Sequence, residues 1–249
     1  MKLLSLISGG KDGIYSILCA RRQGHEIVLL GHMTPQDSNT HELDSYMFQT
    51  IGHNVIGSIS KCLDIPLIER TIQRTSASTS TLNYTPDEQD EVEDLYNLVK
   101  EALKVNSEIE GVLTGAVCSR YQMERVKNVC SRLNLTSVNP LWERNQRELI
   151  KDMIDDGMEA ILVKTCSLGL NEKHLGRTIR ELYEELLEME TLYGLNVCGE
   201  GGEYETLVLD CPMYKMKIVI EEHEKIYHSK DPYAPTILYV PIKWRLESK

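Results

Sequence analysis

Apolar positions in the first half of the chain fall into short unbroken runs that alternate with stretches of helical spacing. Leu3-Leu4-Ser5-Leu6-Ile7 reads as a buried strand, and Ile14, Ile17 and Leu18 then fall on one helical face that ends at Arg21. Ile27 to Gly31 predicts a second strand, Leu43 to Cys62 a helical segment, and Pro66 to Arg70 a third strand. Thr85-Pro86-Asp87-Glu88 has the form of a capping box with Pro at the first helical position. The helix expected after it places Val92, Leu95, Tyr96, Val99 and Leu103 on one face and its acids on a solvated one. Gly111 to Gly115 predicts a fourth strand and Ser119 to Leu133 its helix. This alternation predicts an α/β fold with a doubly wound, Rossmann-like parallel sheet.

A second region starts near residue 135 with Pro140-Leu141-Trp142. A helix is expected from Arg144 to Asp156, a strand from Ala160 to Cys166 and a long polar helix from Lys173 to Tyr193. Shorter β-like runs follow at Thr206 to Leu209, Met216 to Ile220 and Ile237 to Val240. The expected division is a nucleotide-binding domain, 1–134, and a smaller C-terminal α/β domain for the substrate, 135–249. No repeat or Pro/Gly/Ser linker marks the boundary. Arg74 to Tyr84 is rich in Ser and Thr and lacks periodicity, which suits a surface connection or an active-site lid.

Chemistry enters at Ser8-Gly9-Gly10-Lys11-Asp12-Gly13, between the first strand and the first helix. A Gly-rich turn there aims backbone N–H groups and a helix N-terminus at an anion. Gly9 and Gly10 let the backbone approach phosphate, Ser8 adds a hydroxyl and Lys11 a cation, and Asp12 either caps the helix or holds Mg²⁺ between phosphates. The loop is not Walker A, because no Gly-Lys-Ser/Thr follows four variable residues, and it lacks the third Gly of the dinucleotide fingerprint. Parallel sheets bind ligands at the carboxyl ends of their strands. The ends here are Gly31-His32-Met33, Arg70-Thr71 and Thr114-Gly115. Backbone at Met33 is expected to meet an adenine edge, and Gly115 to let the base lie close.

Gly199-Glu200-Gly201-Gly202-Glu203-Tyr204-Glu205 places three carboxylates and three glycines in seven residues. A sharp turn gathering Glu200, Glu203 and Glu205 suits Mg²⁺, a cationic substrate or a general base. Asp44-Ser45-Tyr46-Met47-Phe48-Gln49 mixes an acid, two aromatics and an amide, with Asp44 the natural helix cap. Tyr46, Tyr204 and Trp142 are candidates for an aromatic surface around a quaternary ammonium group. Lys164, at a strand end, is either solvated or a phosphate neutraliser. His53 and His174 read as surface or capping residues.

Composition narrows the classes. The chain has 249 residues, with 38 Asp and Glu against 27 Lys and Arg for a net charge of −11. That balance argues against a nucleic-acid partner. No apolar run reaches membrane-spanning length, and Met1-Lys2 leads straight into the first strand, leaving no room for a signal peptide. Seven cysteines without a Cys-x-x-Cys pair suit reduced, mostly buried thiols in a cytoplasmic protein, and no zinc or iron–sulfur site.

The Ser8–Asp12 loop resembles the pyrophosphate loop of the N-type ATP pyrophosphatases, which split ATP into AMP and pyrophosphate while activating a substrate as an adenylate. Those proteins usually carry Ser where this chain has Gly13. The wider set resembles the diphthine–ammonia ligase family within that group. Its carriers are Ile7 to Asp12, Glu42 to Met47, Asp90 to Tyr96, Leu141 to Gln146 and Cys198 to Thr206, with the Glu-Gly-Gly-Glu-x-Glu segment the most specific. The resemblance implies ATP and Mg²⁺ as cofactors. It implies as partners the diphthine form of translation elongation factor 2 and ammonia or ammonium, with no nucleic acid and no membrane. It further implies that the diphthine carboxylate attacks ATP to give an acyl-adenylate and that ammonia then displaces AMP. Ser8, Gly9, Gly10, Lys11, Asp12 and Gly13, with His32, Met33 and Gly115, are the implied nucleotide contacts, and Asp12 the metal ligand. Glu200, Glu203, Glu205 and Lys11 carry catalysis, the three glutamates sharing the binding of the cationic head, the positioning of ammonia and the deprotonation of ammonium. Asp44, Tyr46, Gln49 and Tyr204 are implied substrate contacts. The absence of Cys next to Met1 implies free ammonia or a separate donor. The rival readings are a tRNA-modifying ATP pyrophosphatase, which would bring a basic face, and a non-catalytic nucleotide sensor.

Overall fold

A computed structural model describes residues 1–37, 45, 47–74, 84–229 and 231–249. The first sheet is parallel and runs β3-β2-β1-β4-β5, with β1 Lys2–Leu6, β2 Glu26–Thr34, β3 Leu67–Thr71, β4 Gly111–Leu113 and β5 Thr136–Val138. Its central strands β2, β1 and β4 are largely buried because helices cover both faces, whereas the edge strands β3 and β5 are half-buried. Adjacent residues of β1 therefore enter different cores. Leu3 packs with Ile14, Ile17 and Ile56 on one side, and Leu4 with Leu29, Leu98 and Val129 on the other. Helices α1 (Lys11–Arg22) and α2 (Ile56–Leu63) cover the first face, and α3 (Val92–Val105) and α4 (Arg120–Arg132) the second. Strand order reverses between β1 and β4, so the loop after β1 opens into the crevice where such sheets bind ligands.

The second sheet is antiparallel and runs β7-β6-β9-β8, with β6 Glu159–Thr165, β7 Tyr204–Asp210, β8 Met216–Tyr227 and β9 Ile237–Ser248. Helices α5 (Gln146–Asp155) and α6 (Ile179–Tyr193) accompany it. The α1 face of the first sheet and this second region share one continuous core, from Leu3 and Ile14 through Leu149 and Ile161 to Leu207 and Val240. Polar ties reinforce the contact: the Tyr15 hydroxyl donates to Asp156, and the Trp244 indole N–H donates to Ser58. The sheet that closes one side of the crevice is therefore rigidly held.

Several elements differ from the sequence expectation. Helix is absent from residues 45 and 47–50; a 3₁₀ turn at His53–Val55 leads into α2, and residues 38–44 and 46 lie outside the described set. The Ser45 hydroxyl accepts from Met47 N and Phe48 N, a local turn that competes with helix. The helix expected from Thr85 starts at Val92, where Asp90 Oδ1 accepts from Val92 N. Its acids do not form a solvated face, since Asp90, Glu91 and Asp94 are all buried. Asp94 pairs with Arg74 and accepts from Gln73 N and Arg74 N, and Glu91 accepts from the Ser45 hydroxyl. The long polar helix starts at Ile179 behind a Thr178/Glu181 capping box, not at Lys173. Strand β5 was not anticipated, and it carries the first sheet past the expected boundary at 134.

Candidate active site

The crevice holds a cavity of about 530 Å³, lined by the Ser8–Gly13 loop, the end of β2, residues 45 and 47–49, the start of α4 and the 198–206 turn. That size suits a small-molecule ligand. The loop is shaped by Gly9, whose φ of +85° lies in the left-handed region. A Cβ on Gly9 would sit 3.0–3.2 Å from methyl carbons of Ile56, Leu207 and Ile59. The second sheet braces the loop directly. Val208 N donates to Gly9 O at 2.9 Å, and Lys11 N donates to Thr206 Oγ1 at 3.0 Å. Gln49, expected at the substrate, lines the cavity and also donates its amide to Ile51 O and Thr206 O, buttressing the same point. Thr206, which sequence reasoning quoted only as the end of a motif, is the residue that ties these contacts together.

Lys11 is only 3% exposed. Its ammonium donates to Asp12 Oδ2 at 2.7 Å and Cys198 O at 2.5 Å, and lies 5.5 Å from the centre of the Tyr204 ring. Burial is the largest single influence and works against the charge, but Asp12, Tyr204, Cys198 and Glu200 together outweigh it and Lys11 stays cationic. Asp12 Oδ1 is buried and meets no partner. A buried carboxylate oxygen with no donor is costly, and it fits a cation. Among the described residues no group of three or more His, Cys, Asp or Glu could hold a metal alone. Mg²⁺ commonly takes one or two carboxylates and completes its shell with phosphates and water. Asp12 therefore fits as the protein's ligand to Mg²⁺ brought in with a nucleotide.

Gly115 lines the cavity and is also pressed against the loop. A Cβ there would fall 2.5 Å from Asp12 C and Gly13 N, so its task is to let the end of β4 abut the loop backbone. Gly13 is different, because a Cβ would meet Leu6 O at 3.6 Å and Ile7 Cα at 3.8 Å, ordinary contact distances. Gly13→Ser is therefore expected to fold with ATP turnover retained and with stability raised by about 0.5 kcal/mol from helix propensity. Denaturant titration and a pyrophosphate assay check both halves.

The 199–205 turn gives the three glutamates different places: Glu200 and Glu205 line the cavity and Glu203 does not. Glu203 closes the turn on itself, with Oε1 accepting from Asn196 N at 2.9 Å and Oε2 from Gly201 N at 2.8 Å, and it does not line the cavity. Glu205 lines the cavity and pairs with Lys164 at 3.1 Å. Glu200 lines it too, accepting from Cys118 N at 3.3 Å. Burial, then the nearby Asp12 charge, pushes the Glu200 carboxyl up to about 7. Tyr204 is buried, donates its hydroxyl to Val197 O at 2.6 Å and carries Lys11 against its ring, so it supports the loop. Trp142 does not line the cavity. Glu203→Ala is expected to lower stability by about 1–2 kcal/mol through the two orphaned backbone donors, and Glu203→Gln to lose less. A melting series distinguishes this from a catalytic role, for which the melting point would hold and only turnover would fall.

Of the remaining candidates, Ser8, Gly10, His32 and Met33 line the cavity, with Leu6, Met47, Phe48, Leu95 and Val126 giving it an apolar side. His174 is buried against the 171–177 turn, where Asn171 N donates to its Nδ1, and is not a surface residue. Asp44, Tyr46 and residues 75–83 of the expected lid lie outside the described residues.

Comparison with known proteins gives the family. The diphthamide synthase N-terminal domain family matches residues 1–137 and the diphthamide synthase C-terminal domain family residues 145–238. The chain belongs to the diphthine–ammonia ligase family. The diphthine–ammonia ligase of Rattus norvegicus is 49% identical over 94% of this chain and 88% of its own length. That of Homo sapiens is 44% identical over all of this chain and 94% of its own. The Schizosaccharomyces pombe ligase is 42% identical over all of this chain but only 40% of its own length. Membership of this ligase family makes the chain an enzyme. Among the described residues, no helix is long and apolar enough to cross a membrane.

Proposed function

We propose that this chain amidates diphthine on translation elongation factor 2, using ATP and ammonia and releasing AMP and pyrophosphate. The observation that carries the reading is the joining, in one cavity, of a phosphate-type loop with its cation and orphaned carboxylate oxygen to a second, half-buried carboxylate at Glu200. A carboxylate is a poor acyl donor because its leaving group would be oxide. Attack of one diphthine carboxylate oxygen on the α-phosphate of ATP forms the C–O–P link of an acyl-adenylate and breaks the bond to pyrophosphate. Ammonia then adds to the acyl carbon, AMP departs with the bridging oxygen, and the amide loses one proton. Lys11 keeps positive charge at the loop throughout. Asp12 would hold Mg²⁺, which supplies charge neutralisation on the phosphates.

Glu200 is assigned as the base that takes the proton from ammonium. A carboxyl held near neutrality matches that task, being ionised enough to accept yet basic enough to pull. Glu205, paired with Lys164, gives the cavity lining a second carboxylate, which favours the charge of a trimethylammonium group. Glu203 and Tyr204 position the turn and the loop.

The test is an assay of AMP and pyrophosphate with ATP, Mg²⁺ and ammonium, with and without diphthine-bearing elongation factor 2. Products that require that protein, with its carboxylate converted to an amide, are expected. Turnover that instead requires tRNA would replace this reading with that of a tRNA-modifying enzyme.

A further inference from the structure

We propose that His32 is a specificity-determining contact of the nucleotide site, presenting Nε2 as a hydrogen-bond acceptor to an N–H or O–H donor of the nucleoside. The inference rests on the reading that this cavity takes ATP. His32 stands at the carboxyl end of β2, beside Met33 and across from Ile7 and Ser8, and it lines the cavity. Its Nδ1 lies 2.9 Å from Ile7 O. A carbonyl oxygen only accepts, so Nδ1 carries the proton and donates. The tautomer is thereby fixed, and Nε2 is left with a lone pair. That nitrogen is buried and meets no partner among the described residues. Burial, opposed by the Ile7 bond, holds the imidazole down at about 4, so the ring is neutral in the ordinary working range.

A neutral ring of this tautomer offers the ligand an acceptor and nothing else. It repels phosphate oxygens and attracts a donor. A nucleoside has two kinds, the exocyclic amino group of adenine and the ribose hydroxyls. A buried acceptor also penalises any analogue that lacks the donor, because the lone pair then stays unpaired in the closed site. Met33 gives the apolar wall and its backbone, and His32 adds a polar requirement that backbone at the strand end does not supply from that face.

The experiment measures binding of ATP, inosine triphosphate, 2′-deoxy-ATP and 3′-deoxy-ATP to the wild-type chain, His32→Leu and His32→Gln, with melting curves for each. Wild-type protein is expected to bind ATP and to discriminate against at least one analogue. His32→Leu is expected to reduce that one discrimination by roughly tenfold or more, and His32→Gln, whose Oε1 can still accept, to restore part of it. Loss confined to the inosine arm identifies the adenine amino group as the donor, and loss confined to a deoxy arm a ribose hydroxyl. If every ratio in folded His32→Leu equals the wild-type ratio, the inference is overturned. Where His32→Leu melts before it can be measured, wild-type ratios in His32→Gln that are lost in His32→Ala support it, and ratios unchanged in both overturn it. A wild-type chain that binds no ATP overturns the ATP reading instead, which separates the two failures.

Discussion

Gly9→Ala is expected to cost the enzyme roughly a hundredfold or more in ATP turnover and about 2–4 kcal/mol in stability. Two effects add. An L-residue forced to a φ of +85° is strained by about 1 kcal/mol or more. Its Cβ would also press on Ile56, Leu207 and Ile59 at 3.0–3.2 Å, and core overpacking typically costs about 1–3 kcal/mol. Relief requires the loop to shift away from β7, which breaks the Val208 N–Gly9 O bond and carries the Lys11 backbone with it. A displacement on the order of 1 Å at a phosphate site is enough for about a hundredfold in rate. Gly57→Ala is the control, since its Cβ would meet nothing within 4 Å. Urea titration and a pyrophosphate assay on both variants check the claim, and equal losses in the two would show that Gly9 has no special place.

Glu200→Gln is expected to separate activity from stability in opposite directions. As the assigned base it contributes about 10²–10⁴ in the amide-forming step, so kcat with ammonium should fall by that order while ATP still binds. The loss should shrink at high pH, where free ammonia replaces ammonium and needs no base. Stability moves the other way. The folded-state value near 7 lies above that of an ordinary carboxyl, so the folded chain resists ionisation. The fold therefore loses stability as pH rises from the ordinary carboxylate range to about 7, and the loss is complete above that. Removing the charge should stabilise the protein at pH 8 by on the order of 1–3 kcal/mol and leave it unchanged near pH 4. Melting points of wild-type and variant at the two pH values check the sign. A variant less stable at pH 8 would mean that Glu200 makes favourable contacts which outweigh its burial.

How much of this was legible in the chain depends on what kind of physics decided it. Strand β1, its loop and α1 were readable because local signals agree: a buried run, glycines where the backbone must turn, then helical spacing. Helix α2 was misplaced because Ser45 and Gly52 impose turns that compete with an otherwise apolar, helix-like pattern. The acids before and within α3 looked solvated because a sequence shows their charge but not their long-range partners. Asp94 is buried against Arg74, and Glu91 against Ser45, both contributed from elsewhere in the chain. The first short β strands of the sheet could be read as runs, whereas the three residues of β5 are too few for any pattern.

The candidate site divided in the same way. Lys11 and Asp12 stood out because Gly-rich turns carrying such residues have a stated use. The three glutamates looked equivalent in sequence, and backbone geometry separates them: Glu203 closes its own turn, Glu205 meets Lys164 and Glu200 is left in the cavity. Gln49 and Tyr204 have the right chemistry for a ligand and line the cavity, and the long-range contact of β7 with the loop gives them a support role that the sequence did not show. Thr206 gave no signal beyond its place at the end of a motif, since its hydrogen bond with Lys11 joins residues 195 positions apart in the chain.

The most direct measurement follows oxygen from substrate to product. Diphthine on elongation factor 2 would be prepared with the heavy oxygen isotope in its carboxylate and turned over with ATP and ammonium, and the nucleotide and inorganic products examined by mass spectrometry. Adenylation places one heavy oxygen in the phosphate of AMP and none in pyrophosphate, while the protein gains an amide. Heavy oxygen in inorganic phosphate, with ADP as the nucleotide product, would mean an acyl-phosphate route and would contradict the assignment of this cavity as an adenylating site.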